Sequence, residues 1–279
     1  MFTRFRSAFF ALIVAATPAL AEGPGKAAIS SAHELATEAG FEVLEDGGNA
    51  FDAAVAVSAA LAVVEPSSSG LGGGGFWLLH RESDGFSTMV DGREEAPGAA
   101  TRDMYLDENG EVDRDLAVNG PLAAGIPGAA AAWVHMSKTY GELALAEVLA
   151  PAIRLADKGF PVDVKYQQLL NWRAQVMMQW PYTAEIFMPG DELPEIGDII
   201  VQKDLAATLK RLAEGGHEGF YSGKTAELLV EGSREAGGIW AMEDFAGYEA
   251  TEREPITIEH GDYTLLTAAP PSSGGIAIA

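Results

Sequence analysis

Apolar residues recur at helical spacing through much of the chain. The segment 33–46 carries them on one face and ends at Gly47-Gly48, which predicts an amphipathic helix. The segment 50–64 is apolar nearly all round, with Asn49 as cap and Asp52 in its first turn, and this predicts a buried helix. The same spacing predicts further helices at 128–140, 143–158, 163–179, 203–213 and 227–236.

Strand patterns stand on either side of this helical stretch. The segments 76–81 and 86–91 are apolar or alternating and flank an Asp84-Gly85 turn, a strong hairpin signal. The segments 256–260 and 263–267 flank Gly261-Asp262 in the same way. Strands at both ends with helices between them predict an α+β fold.

The amino terminus has the pattern of an export signal. Two arginines precede an apolar run at 8–20, and Ala19-Leu20-Ala21 fits the small-x-small cleavage rule. The run is shorter than the about 20 residues that span a bilayer. We therefore predict a signal peptide at 1–21, cleavage before Glu22, and a periplasmic or secreted product with no membrane segment.

The carboxy terminus is apolar where domain ends are usually polar. A Pro-Pro-Ser-Ser-Gly-Gly turn at 270–275 leads into Ile276–Ala279 with no terminating turn. Such a turn before apolar residues is typical of the entry to another buried element. We expect the chain to be the amino-terminal part of a longer protein, incomplete at its carboxy end.

Composition excludes several function classes. The formal net charge of −23 argues against nucleic acid or an anionic membrane as a partner. Because there is no cysteine, disulfides and thiol nucleophiles are ruled out. The five histidines have no metal-binding spacing, and no G-x-S-x-G elbow is present. We expect no metal, no cofactor and no catalytic nucleophile in this chain.

A glycine-rich loop at 70–75 formally contains G-x-G-x-x-G at Gly70, Gly72 and Gly75. That motif binds dinucleotides when it follows a strand and opens a helix, whereas here it follows a predicted helix and opens a predicted strand. No Gly-Lys-Ser or Gly-Lys-Thr follows, so a phosphate loop also fails. The sequence favours a close crossing of backbone segments at which side chains do not fit.

Arg93 is the candidate binding residue. It follows a predicted strand end, in a loop fixed by Gly92 and Pro97, where its guanidinium could hold a carboxylate through two parallel hydrogen bonds. The neighbouring carboxylates at 91, 94 and 95 favour a local ion pair instead. Nothing local decides between the two.

Collinear motifs extend along most of the chain from about Lys26, and together they resemble the gamma-glutamyltranspeptidase family. They are ATEAG (36–40), GGNA (47–50), DAAVA (52–56), VEP (64–66), SSGLGGGGF (68–76), DGRE (91–94), GPLA (120–123), VLAPAIRLA (148–156), GFPV (159–162), GFY (219–221) and PPSSGG (270–275). The resemblance implies that residues 22–279 are the large-subunit region of an N-terminal nucleophile hydrolase, whose fold is a four-layer αββα sandwich.

The resemblance also implies an activity. Members of the family cut their own precursor into a large and a small subunit, and the new terminal threonine attacks a gamma-glutamyl amide with its own α-amine as base. Glutathione and other gamma-glutamyl compounds are the expected substrates, and water, amino acids or peptides accept the gamma-glutamyl group. In this picture Arg93, within its matching Asp-Gly-Arg-Glu motif, binds the substrate α-carboxylate.

The chain departs from the family pattern in one large respect. It contains no Thr-Thr or Thr-His, so no threonine matches the position of the nucleophile, and the small subunit is absent from it. We expect this chain alone to be inactive. Two alternatives remain open at this point: a cephalosporin (glutaryl) acylase of the same superfamily, and a non-catalytic exported binding protein.

Overall fold

The described part of the protein, residues 26–279 of a computed structural model, is an α+β arrangement, as predicted. The predicted signal peptide and its cleavage point lie outside the described residues. The helices are α1 (Glu34–Glu45), α2 (Ala50–Val64), α3 (Arg114–Val118), α4 (Ala129–Tyr140), α5 (Leu145–Lys158), α6 (Val164–Met177), α7 (Pro181–Phe187), α8 (Lys203–Gly215), α9 (Glu218–Tyr221), α10 (Gly223–Glu235), α11 (Met242–Ala246) and α12 (Gly274–Ile278). The strands are β1 (Gly75–Arg81), β2 (Phe86–Gly92), β3 (Phe160–Pro161), β4 (Ile199–Ile200), β5 (Thr251–Arg253), β6 (Ile256–His260) and β7 (Tyr263–Thr267).

Helix α2 lies at the centre of the helical layer and packs against α1, α4 and α5. Its start is the predicted cap: the Asn49 side chain accepts the Asp52 amide at 3.1 Å, and Asp52 accepts the Asn49 amide at 3.0 Å. Nine of its 15 residues are buried. At Gly40, where α1 crosses α2, an added Cβ would lie 2.6 Å from Val57. The backbones approach closely there because no side chain intervenes.

The main sheet is antiparallel and has the order β1-β2-β5. Strands β1 and β2 pair from Gly75 opposite Gly92 to Arg81 opposite Phe86, and Gly85 in their turn has a φ of +70°. This confirms the hairpin predicted from Asp84-Gly85. Gly75, the first residue of β1, thus lies opposite Gly92, the last residue of β2, at one end of the hairpin.

A second hairpin, β6–β7, pairs from Ile256 opposite Thr267 to His260 opposite Tyr263, and Gly261 in its turn has a φ of +62°. The short helix α12 follows it, and its Ile276 and Ile278 are exposed. The expectation that this apolar run begins an element buried in a longer protein stays a prediction, because both isoleucines are exposed in the part of the chain that the structure describes.

Sequence periodicity located the long helices but not the short elements. Helix α10 begins at Gly223 rather than at 227, and strand β5 was not predicted. All three residues of β5 are exposed and polar, so no alternating pattern marks them as a strand. None of the helices within residues 26–279 combines the length and the apolar character needed to traverse a bilayer.

Candidate functional site

The glycine loop packs against the end of β2, directly before Arg93. A Cβ added to Gly74 would lie 2.2 Å from the carbonyl oxygen of Gly92, and one added to Gly128 would also lie 2.2 Å from it. The Gly73 carbonyl accepts the amides of Gly128 and Ala129, both at 3.0 Å. The loop, the end of β2 and the start of α4 are thus in backbone contact. This confirms the close crossing of backbone segments predicted from the glycines. The contacts explain why glycine is needed at these positions, so a nucleotide-binding role is not required to explain the motif.

Arg93 follows β2 directly, and its backbone is held on both sides. Its amide donates to Asp91 Oδ1 at 2.9 Å. Its carbonyl accepts the phenolic hydroxyl of Tyr248 at 2.7 Å. A loop residue with both peptide groups bonded to buried side chains has a defined position, so the direction of its side chain is restricted.

The side chain of Arg93 is 57% exposed, and its Nε lies 3.3 Å from Glu94 Oε2. Its central carbon is 5.9 Å from the centroid of the Phe76 ring. The local ion pair favoured by the sequence is therefore present, with Glu94. Because an exposed pair of this kind contributes only about 0–1 kcal/mol, a bound carboxylate can replace it at little cost.

The cleft beside Arg93 has a volume of 190 Å³. It joins distant parts of the chain, and its lining is Asp91, Arg93, Glu94, Glu95, Tyr248, Glu249, Thr251, Arg253 and Pro271. Pro271 brings the Pro-Pro-Ser-Ser-Gly-Gly turn to the same cleft as Arg93. The arrangement supplies two guanidinium groups, several carboxylates and a phenol, which suits the binding of a zwitterion that has one carboxylate and one ammonium group.

Asp91 and Tyr248 are the two residues that hold the Arg93 backbone. The side chain of Asp91 is 7% exposed, and its Oδ2 accepts Arg253 Nε at 2.6 Å. Burial, and then the carboxylates Glu95, Asp91 and Glu94, raise the pKa of Tyr248. Tyr248 therefore keeps its proton and remains a donor to the Arg93 carbonyl.

An aromatic stack supports Tyr248 from behind. Its ring lies 5.4 Å from that of Tyr221 at an angle of 7°, and Tyr221 stacks in turn on His217 at 4.4 Å. Tyr221 donates to the Pro127 carbonyl at 2.7 Å, which ties the stack to the segment before α4. Sequence reasoning missed Tyr248 and Arg253. Of the three stacked residues, Tyr221 alone lies within one of the family motifs, GFY (219–221).

A second polar cluster connects β5 to α4 and β2, outside the cleft. Glu252 Oε1 accepts the Tyr140 hydroxyl at 2.5 Å and lies 2.6 Å from His135 Nε2, while Oε2 accepts the Thr88 hydroxyl at 3.2 Å. Burial raises the pKa of Glu252, but these hydrogen bonds outweigh it and the net shift is downward. Burial and the bond to Glu252 raise the pKa of Tyr140 to about 12.

Within residues 26–279, no group of three or more His, Asp or Glu side chains is placed to hold a metal ion. The cleft presents the partly exposed side chain of Arg93, which follows a strand end packed against the glycine loop. The fold and the site together define an α+β scaffold that holds an arginine at a strand end, beside a cleft lined by charged side chains.

Comparison with known proteins identifies the family. Residues 36–279 match the model of the gamma-glutamyltranspeptidase family. The glutathione hydrolase proenzyme of Escherichia coli (strain K12) is 41% identical over 251 residues, covering 90% of this chain and 43% of that protein. The glutathione hydrolase proenzyme of Bacillus subtilis (strain 168) is 39% identical, with 89% and 42% covered. The chain belongs to the gamma-glutamyltranspeptidase family.

The solved structures agree. The gamma-glutamyltranspeptidase of Helicobacter pylori superimposes with a TM-score of 0.87 at 39% identity, covering 91% of this chain and 74% of that chain. The chain thus has the large-subunit portion of the N-terminal nucleophile hydrolase fold. It spans less than half the length of the two curated relatives named above.

Acylases are also similar to this chain. The acylase ACY 1 proenzyme of Pseudomonas sp. (strain V22) is 39% identical, covering 88% of this chain and 45% of that protein. The cephalosporin acylase of Bacillus halodurans superimposes with a TM-score of 0.76 at 33% identity, covering 83% of this chain and 44% of that chain.

Proposed function

We propose that this chain is the amino-terminal part of the large subunit of a gamma-glutamyltransferase and hydrolase that acts on glutathione and other gamma-glutamyl amides. The curated relatives named glutathione hydrolase proenzyme support the substrate class. The observation that carries the proposal is Arg93, whose backbone is fixed by Asp91 and Tyr248 and whose guanidinium is open to the cleft. We assign it to the substrate α-carboxylate.

The chemistry proposed for the complete enzyme uses a threonine of the small subunit. Its hydroxyl attacks the gamma-glutamyl carbonyl, its α-amine takes the proton, and the amine of the leaving group departs with a proton. Water or the amine of an amino acid or peptide then attacks the gamma-glutamyl ester and releases the threonine. In both steps Arg93 holds the α-carboxylate, so that the γ-carbonyl is kept in place for attack.

The partner of this chain in that enzyme is the small subunit from the same precursor. The β6–β7 hairpin and α12 support an extensive contact, because Tyr263 of β7 is 75% exposed and Ile276 and Ile278 of α12 are also exposed. A two-stranded hairpin is marginal in water by itself. Amide hydrogen exchange over 256–267 should slow when the complete precursor is compared with this chain alone, and equal exchange would contradict the contact.

The substrate class is tested by rates of hydrolysis in the complete precursor. Glutathione and a glutaryl-cephalosporin should be compared at equal concentration, with released glutamate and released cephalosporin nucleus as readouts. We expect glutathione to be cleaved faster. Faster cleavage of the cephalosporin side chain would support the second candidate, a cephalosporin acylase, which the similarity to acylase ACY 1 favours.

We also propose export to the periplasm or medium, since the pattern at 1–21 is that of a signal peptide. Amino-terminal sequencing of the protein recovered from that compartment should begin at Glu22. Recovery from the cytoplasm with Met1 retained would contradict export.

A further inference from the structure

Arg253 contacts Asp91, and Asp91 in turn accepts the backbone amide of Arg93. A second arginine is therefore connected to Arg93 through one carboxylate. We propose that Arg253 is a positioning residue that sets the geometry of Arg93 through Asp91. This inference rests on the proposed function, because it assumes that Arg93 binds the substrate carboxylate.

One buried carboxylate joins the two arginines. Asp91 Oδ2 accepts Arg253 Nε at 2.6 Å, and Asp91 Oδ1 accepts the Arg93 amide at 2.9 Å. The Asp91 side chain is 7% exposed, so water does not replace either partner freely. Asp91 therefore transmits the position of Arg253 to the peptide bond that begins Arg93.

The sheet supplies the alignment. Strand β5 pairs with β2 so that Arg253 stands opposite Met89 and Thr251 opposite Asp91. The side chain of Arg253 thus reaches Asp91 diagonally, two pairs along the ladder. The short strand β5, which has no apolar face of its own, serves in this arrangement to hold a cation against the end of β2.

Removal of Arg253 leaves a buried carboxylate without its counterion. A carboxylate in that state turns toward water or gains a proton, and either change loosens its bond to the Arg93 amide. The Arg93 backbone then keeps only the hydrogen bond from Tyr248 to its carbonyl. Because Arg93 is proposed to bind the carboxylate equally in the ground and transition states, its displacement raises KM and leaves kcat nearly unchanged.

Direct contact of Arg253 with the substrate is the competing role. Arg253 is 42% exposed and lines the same 190 Å³ cleft. The two roles differ in their dependence on Arg93. A positioning residue has no effect on KM once Arg93 is removed, whereas a second binding residue adds its own effect.

The test is a double-mutant cycle in the complete precursor, with steady-state hydrolysis of a gamma-glutamyl anilide. We expect Arg253→Met to raise KM about tenfold with kcat within about twofold. In an Arg93→Met background, the same change should leave KM as it is. Arg253→Lys, which keeps the charge against Asp91, should recover most of the lost affinity.

The matched control is Arg81→Met. Arg81 lies in the same sheet, and its side chain is 43% exposed and pairs with Asp84 at 2.7 Å. It stands at the end of β1 opposite to Gly75, whereas Arg93 follows Gly92, the partner of Gly75. It should leave KM unchanged. If Arg253→Met does not yield folded protein, Arg253→Gln carries the comparison, since it keeps a polar donor without the charge.

The outcomes separate the two proposals. An unchanged KM in Arg93→Met overturns the proposed function. A raised KM in Arg93→Met with an unchanged KM in Arg253→Met or Arg253→Gln overturns the positioning role alone. Additive effects in the double variant also overturn it, because they assign Arg253 to direct binding.

Discussion

Arg93 is the residue on which the proposed substrate binding depends, and its geometry defines a first prediction. Arg93→Lys keeps the charge but loses the planar fork that matches a carboxylate. We expect substrate binding in the complete precursor to weaken by roughly 2–5 kcal/mol, measured as a higher KM with little change in kcat. Arg81→Lys is the control. An unchanged KM in Arg93→Lys would remove Arg93 from the site.

Tyr248 gives a second prediction at the residue scale. Tyr248→Phe keeps the ring that stacks on Tyr221 but removes the hydroxyl that donates to the Arg93 carbonyl. We expect a loss of about 1 kcal/mol in the free energy of unfolding, together with a severalfold higher KM.

The control for Tyr248→Phe is Tyr105→Phe. Tyr105 also donates to a backbone carbonyl, that of Leu122 at 2.8 Å, but it does not line the Arg93 cleft. It should lose similar stability with no change in KM. If the two variants raise KM equally, the Tyr248 hydroxyl has no special role in holding Arg93.

At the scale of single residues, the sequence identified Arg93 but left its role open. The acidic neighbours favoured a local ion pair, and that pair is present with Glu94. The binding role came from the resemblance of Asp-Gly-Arg-Glu to a family motif. Tyr248 and Arg253 could not be found from local pattern, because their contacts with Arg93 and Asp91 span 155 and 162 residues of sequence.

Elements were predictable in proportion to their length. Helix α2 is apolar nearly all round and helix α5 repeats an apolar face over several turns, and both were located within two residues at either end. Strand β5 is three exposed residues long and depends on hydrogen bonds to β2 that periodicity does not encode. The missed element is also the one that carries Arg253 to the site.

The attachment of β5 gives a prediction about pH. Hydrogen bonds from Tyr140, His135 and Thr88 outweigh the effect of burial and hold the pKa of Glu252 below its ordinary 4.5. A carboxylate with a lowered folded pKa stabilises the fold above its unfolded pKa, and this stabilisation is lost as pH falls through the folded value. Glu252→Gln should therefore lower Tm at pH 7 and have a smaller effect near pH 3.

The control for Glu252→Gln is Glu82→Gln. Glu82 also faces a histidine, His80, at 3.1 Å, but its side chain is 98% exposed. Its replacement should leave Tm unchanged at both pH values. An equal loss of Tm in Glu252→Gln at pH 7 and pH 3 would show that the cluster stabilises β5 by packing rather than by the charge of Glu252.

For the whole molecule, the class of fold followed from strands at both ends and helices between them, whereas the site required the folded chain. The cleft combines the end of β2, the segment from Tyr248 to Arg253 and Pro271. Their meeting depends on three glycines, Gly74, Gly92 and Gly128, that let the loop, the strand and α4 touch. The sequence marked the glycine loop as a close crossing but did not specify its partners.

The last prediction concerns the separation of binding from chemistry. Residues 22–279 contain the proposed carboxylate anchor, while the proposed threonine nucleophile belongs to the small subunit. Expressed alone, this segment should not release aniline from a gamma-glutamyl anilide, whereas the complete precursor should. An Arg93→Lys variant of the segment controls for contaminating enzymes, because contaminants are insensitive to it. Turnover by the segment alone that disappears in this variant would place a nucleophile within these residues and contradict the proposed division of roles.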